Sequence, residues 1–195
     1  MGKRILTTGA SESGKSVLMM EYALALIGEG ITPIVHSPMA LSQDWPEGSE
    51  VYMQEDEYID RVEQLAEHSR RAGKPVPAAL FIDEADEVLS VSQKYNHWML
   101  TRGRHYFPVI VVITQRPKMV APNVRGQCKD LYLFQISADD AKELSKDFAC
   151  DLSEAPHLLQ GEYLWVRWKD RKKEVERIDG FDKSKVVDTD TDAVV

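Results

Sequence analysis

The residues best suited to chemistry in this 195-residue chain begin at Gly9-Ala10-Ser11-Glu12-Ser13-Gly14-Lys15-Ser16. A glycine-rich turn lets successive backbone N–H groups converge on phosphate oxygens, and a helical pattern opening at Val17-Leu18 adds its positive N-terminal end. Lys15 then reaches the β- and γ-phosphates of a bound nucleotide. The Ser16 hydroxyl falls where a magnesium ion bridging those phosphates would sit. Average residue frequencies produce this pattern by chance in about one chain in a hundred of this length. The plain alternative is a glycine turn between strand and helix with a solvated lysine.

Three further positions fit phosphoryl chemistry. Ala78-Ala79-Leu80-Phe81-Ile82 is an apolar run suited to a strand buried on both faces, and it ends in Asp83 and Glu84. Asp83 stands where a carboxylate holds magnesium through water, opposite Ser16. Glu84 is placed to take a proton from a water attacking the γ-phosphate, or to orient it. Gln115 follows the buried run Pro108 to Ile113, where its amide would contact the γ-phosphate or the attacking water. Arg104 lies eleven residues before Gln115. Read by itself it is a surface arginine; in a ring of subunits it would project towards a neighbour's γ-phosphate.

The elements that must position these groups alternate. Arg4 to Thr8 reads as a strand, Ser16 to Gly28 as a helix, and Thr32 to His36 as a second strand. Ser37 to Ser49 reads as a loop in which Trp45 is better suited to anchoring the loop than to stacking on adenine. An amphipathic helix is expected from Asp56 to Ala72, and a helical stretch from Asp86 to about Arg102, broken near Ser92. Leu131 to Ile136 reads as a further strand, and Ala138 to Phe148 as a helix capped by Ser137. Strand–helix alternation implies an α/β fold, a three-layer sandwich around a mostly parallel sheet, with the phosphate loop, Asp83-Glu84 and Gln115 at one edge. Tyr163 to Trp168 and Glu174 to Ile178 read as a C-terminal antiparallel hairpin. One domain is expected over residues 1–180, with its core at 3–148 and the hairpin at about 162–178, followed by an acidic, disordered tail at 181–195.

Composition excludes several classes. No apolar run approaches the roughly 20 residues of a membrane-spanning helix, and no secretory signal follows Lys3-Arg4. Cys128 and Cys150 lack any metal-ligand spacing and read as reduced thiols. The net charge of −8 argues against coating nucleic acid by overall charge, but the charge is uneven. Residues 40–70 carry nine acidic side chains against Arg61 and Arg70. Arg102, Arg104, Arg116, Lys118, Arg125 and Lys129 form one basic cluster, and Arg167, Lys169, Arg171, Lys172 and Lys173 form another. Such clusters suit a localised polyanion site, head-to-tail subunit packing, or plain solvated faces.

The phosphate loop, Leu80-Phe81-Ile82-Asp83-Glu84, and Arg102-Gly103-Arg104-His105 leading through an apolar strand to Thr114-Gln115-Arg116-Pro117 together resemble the FtsK–HerA superfamily of DNA-pumping ATPases. The resemblance spans residues 3–148. Within the superfamily, the chain is most similar to the genome-packaging ATPases of tailless icosahedral viruses with internal membranes. The resemblance implies ATP and Mg2+ as cofactors, a homo-oligomeric ring, often hexameric, double-stranded DNA as substrate, and an arginine finger acting in trans at the position of Arg104. No family motif transfers the DNA contacts; the hairpin cluster from Arg167 to Lys173 is the candidate. A packaging role adds a capsid vertex or a membrane-associated portal protein as partner, and places the chain in the host cytoplasm or at the virion vertex; a cellular motor would be cytoplasmic. The competing readings are a filamentous-phage-type assembly ATPase, a nucleotide or small-molecule kinase, and a nucleotide-gated interaction module with slow turnover. A guanine-specific switch is disfavoured because the chain has no Asn-Lys-x-Asp element.

Overall fold

β1 (Lys3–Thr8) lies in the middle of the sheet, and it is buried from Arg4 to Thr8 although only Ile5 and Leu6 are apolar. It pairs in parallel with β5 (Val109–Thr114) and β6 (Asp130–Leu133), so that Ile5 sits between Val111 and Asp130. The protein is described by a computed structural model covering residues 2–39, 45–167 and 172–178. β4 (Ala78–Ile82) lies beyond β5, then β2 (Thr32–His36) and the three-residue β3 (Glu50–Tyr52). On the other side β7 (Glu162–Arg167) runs antiparallel to β6, and β8 (Lys172–Arg177) antiparallel to β7. The order is β3-β2-β4-β5-β1-β6-β7-β8.

Alternation along the strands divides the core between two faces. Leu6, Leu80, Ile82, Ile110 and Val112 pack against α2 (Glu55–Ala72), through Tyr58 and Val62, and α6 (Ala138–Phe148), through Leu144. Ile5, Phe81, Val111 and Ile113 pack against Met19, Ala23 and Leu26 of α1 (Lys15–Gly28). Helices thus cover both faces of a mostly parallel sheet, the arrangement expected from the alternation. Trp45 is buried edge-on against Phe81 with ring centroids 5.5 Å apart, so it anchors the loop before β3. Ser137 caps α6 by accepting the Asp140 N–H at 3.1 Å.

The fold departs from the sequence expectations in three places. The break expected near Ser92 in the stretch from Asp86 to Arg102 comes earlier, after Val88, and leaves only single turns of helix. α3 (Ala85–Val88) stops where Ser90 forms an antiparallel bridge with Val120, and α4 (Trp98–Thr101) lies between short 3-10 turns at Lys94–His97 and Gly103–His105. β3 and the single-turn α5 (Pro122–Arg125) are too short to leave a periodic signal. The hairpin is no appendage, because the pairing of Leu131 with Val166 makes it a continuation of the central sheet. The expected tail at 181–195 lies outside the described residues.

Candidate nucleotide site

β1 ends at Thr8, in register with Thr114 of β5, so the loop after it leaves the sheet at the edge where β4 and β5 also end. Gly9 must be glycine: a Cβ there would lie 2.4 Å from Cβ of Phe134. Ala10 N–H donates to the Gln135 carbonyl at 2.8 Å, and the loop then turns through left-handed conformations at Glu12 (φ 57°) and Gly14 (φ 106°). Lys15 is 7% exposed and its Nζ donates to the Ala10 carbonyl at 2.6 Å, folding the ammonium over the loop. Burial pushes its pKa down, against the opposing pull of Asp83 and Glu84. Ser13 Oγ is buried without a protein partner, and Ser16 is exposed at the start of α1. A loop with a buried cation and inward-turned backbone suits a phosphate chain.

Asp83 and Glu84 follow the last residue of β4 directly, which explains why the carboxylates stand at the strand edge. Asp83 accepts from Ser37 Oγ at 2.9 Å through one carboxylate oxygen and from the Glu84 N–H at 3.0 Å through the other. Burial raises its pKa, against those hydrogen bonds and Lys15. Glu84 has a left-handed backbone (φ 46°) and accepts from the Gln115 side-chain amide at 3.3 Å. Its pKa is also raised, first by burial and then by Asp83 and Asp86. The structure thus brings Glu84 and Gln115 together, and the oxygen donors of Ser16 and Asp83 are of the type that magnesium takes.

Some positioning residues escape sequence reading. Thr114 donates to Asp86 at 2.6 Å and accepts the Arg116 N–H at 2.9 Å, locking the turn that carries Gln115 onto the start of α3. Ser37, which fixes Asp83, is a polar residue ending an apolar strand, the only signal it leaves. Gln160 donates to the Glu12 carbonyl at 2.8 Å across 148 positions of sequence, a separation no local pattern reveals.

Arg104 does not join this group. It occupies the 3-10 turn before β5, and its carbonyl lies beside Gly2 at the start of β1. The phosphate loop follows the other end of that six-residue strand, about 20 Å away at 3.3 Å per residue. Of the basic cluster around it, Arg125 is a correction: it is 3% exposed, pairs with Glu143 at 2.6 Å and Asp147 at 2.7 Å, and donates to the carbonyls of Pro117 and Val120. It is a buried strut rather than a surface cation. Lys118 pairs with Asp140 at 3.1 Å. In the hairpin, Arg167 lies over the Trp165 ring and bonds Glu174, Lys173 pairs with Glu154 at 2.5 Å, and Lys172 is exposed in β8. Lys169 and Arg171 lie outside the described residues.

No protein-family model matches the sequence, and no curated protein is significantly similar to it. Solved structures are similar in fold. The genome-packaging NTPase B204 of Sulfolobus turreted icosahedral virus 2, in complex with AMPPCP, aligns over 91% of this chain and 98% of its own, with a TM-score of 0.75 and 19% identity. The two share a fold. The pCW3 conjugation coupling protein TcpA, with ATPγS, aligns over 94% of this chain and 62% of its own at TM-score 0.64 and 15% identity. The cytoplasmic domain of the type VII secretion ATPase EccC from Thermomonospora curvata aligns over 94% and 26% at TM-score 0.62 and 16% identity. The likeness therefore reaches beyond residues 3–148 and takes in much of the C-terminal extension of the sheet. Among the described residues no helix is long and apolar enough to cross a membrane.

Proposed function

We propose that this protein is an ATP-hydrolysing motor that moves double-stranded DNA, and that its task is packaging a viral genome into a preformed capsid. The observation that carries the ATPase part is the Glu84–Gln115 hydrogen bond at the mouth of the phosphate loop, between two strand ends that converge only in the fold. A burial-raised carboxylate in contact with an amide is fitted to hold and deprotonate an attacking water, while Lys15 and the loop N–H groups hold the phosphates. Magnesium at Ser16 and Asp83 would supply charge neutralisation across the β- and γ-phosphates. Arg104 stands at the opposite edge from its own phosphate loop, which supports service to a neighbouring subunit in a ring, with six subunits as the expected number. The packaging assignment is supported by the near end-to-end alignment with a packaging NTPase.

DNA would be gripped through phosphates without sequence preference, because a translocating motor has to accept every register of the duplex. The hairpin cluster, Arg167, Lys169, Arg171, Lys172 and Lys173, is the proposed contact, and a capsid vertex or membrane-associated portal protein the proposed dock. The test is ATPase rate with and without double-stranded DNA, alongside mass in solution with a non-hydrolysable nucleotide. Stimulated turnover by a ring supports the motor. Phosphate transfer to a small acceptor without DNA would reassign the site to a kinase, and slow turnover that DNA leaves unchanged would reassign it to a nucleotide-gated interaction module.

A further inference from the structure

The phosphate loop is fastened to a segment from the far end of the chain. Gln160 donates its side-chain N–H to the Glu12 carbonyl at 2.8 Å, and the Gly161 N–H donates to the Ser13 carbonyl at 3.1 Å. Gly161 then accepts the Ile178 N–H at 3.0 Å, closing the base of the β7–β8 hairpin. Its φ of 80° is one that glycine adopts freely, so the turn presenting both donors is relaxed.

Glu12 is the opposite case. It carries a side chain at φ 57°, a left-handed conformation disfavoured for any residue with a Cβ, in the turn that aims the following N–H groups at a phosphate. Such backbone persists where surrounding contacts hold it, and the Gln160 amide grips the carbonyl of this residue. Gln160 approaches from the β6–β7 side of β1, whereas Glu84 and Gln115 stand on the β4–β5 side.

We infer that Gln160 is a positioning residue for the phosphate loop, whose side-chain amide holds Glu12 in the left-handed turn that receives the nucleotide. The inference rests on the reading of Gly9 to Ser16 as the ATP site. Gln160 touches no reacting group, so its loss weakens nucleotide binding and leaves the chemical step alone. Because the defect is a strained backbone released, a residue at position 12 that feels no strain removes the need for the tie.

The experiment measures the dissociation constant of a non-hydrolysable ATP analogue, with KM and kcat for ATP, in the full chain. Gln160→Ala and Gln160→Glu, both without the donor, should bind about three- to ten-fold more weakly, the effect of one ordinary hydrogen bond, with kcat within about two-fold of wild type. Glu12→Gly removes the strain. In that background Gln160→Ala should cost less than about two-fold, and comparing ratios within each background cancels the charge lost with Glu12. Thermal melting confirms that all variants fold. Unchanged affinity in Gln160→Ala overturns the inference, as does an equal loss in both backgrounds or a loss confined to kcat. Failure of the wild-type chain to bind the analogue at all overturns the ATP-site reading and the inference with it.

Discussion

Replacing Arg125 by Met should destabilise the protein far more than any neighbouring cation. The guanidinium is 3% exposed and makes ion pairs to Glu143 and Asp147 together with hydrogen bonds to the carbonyls of Pro117 and Val120. Methionine fills part of the volume but offers no donor. Removing one partner of a buried ion pair costs about 3–5 kcal/mol, and the lower end applies because Glu143 is 39% exposed and regains water. With an unfolding entropy of about 2.1 cal/mol/K per residue over roughly 170 described residues, 3 kcal/mol corresponds to a drop of about 8 °C in Tm. Differential scanning calorimetry reads this directly. Lys118→Ala is the control from the same basic cluster: the Lys118 side chain is 42% exposed and its pair with Asp140 is screened by water, so a drop of less than about 3 °C is expected. Equal shifts for the two variants would refute the assignment of Arg125 as a buried strut. The strut also holds the segment after Gln115, so kcat at 25 °C should fall in Arg125→Met and be retained in Lys118→Ala.

Other outcomes follow from the site. Lys15→Ala should abolish nucleotide binding or turnover, whereas Glu84→Gln should bind ATP normally and hydrolyse it about 10²- to 10⁴-fold more slowly, as rapid-mix phosphate release would record; wild-type turnover would remove Glu84 from catalysis. The acid limb of the kcat profile should lie above the ordinary glutamate range, because burial and the flanking Asp83 and Asp86 raise Glu84; the base is lost as pH falls through that raised value, and Asp86→Asn should move the limb to lower pH. Arg104→Ala should lower turnover by on the order of 10³-fold, and mixing it with inactive Lys15→Ala should restore activity through sites that combine an intact loop with a neighbour's arginine. An absence of recovery weakens action in trans, and full activity of Arg104→Ala alone excludes it.

The groups most legible in the sequence were those whose partners are adjacent in it. The phosphate loop is eight consecutive positions, and β4 and β5 are unbroken apolar runs because each is buried on both faces, so their ends placed Asp83, Glu84 and Gln115 at one edge. The misreadings came from tertiary competition. The helical stretch expected from Asp86, with a break near Ser92, stops already at Val88, ahead of the bridge between Ser90 and Val120. Arg125 looked like part of a surface patch because a charge count cannot see Glu143 and Asp147 on a later helix. Nothing local marked Gln160, whose acceptor lies in the first loop of the chain.

The two ends of the sheet bear on how copies of this chain can meet. β3, at one margin, offers only three residues of backbone, and in β8, at the other described margin, Lys172, Lys173, Glu174, Glu176 and Arg177 are charged. Short or charge-lined edge strands are poor templates for a further strand, since each added chain would have to bring like charges into register or leave its own amides without partners. Self-association by sheet extension is thereby discouraged at both margins, as is the route to fibrous aggregates. Helical faces and the loops at the strand ends are the surfaces left favourable for contacts between copies, since they can slide and re-form without breaking a ladder of main-chain hydrogen bonds.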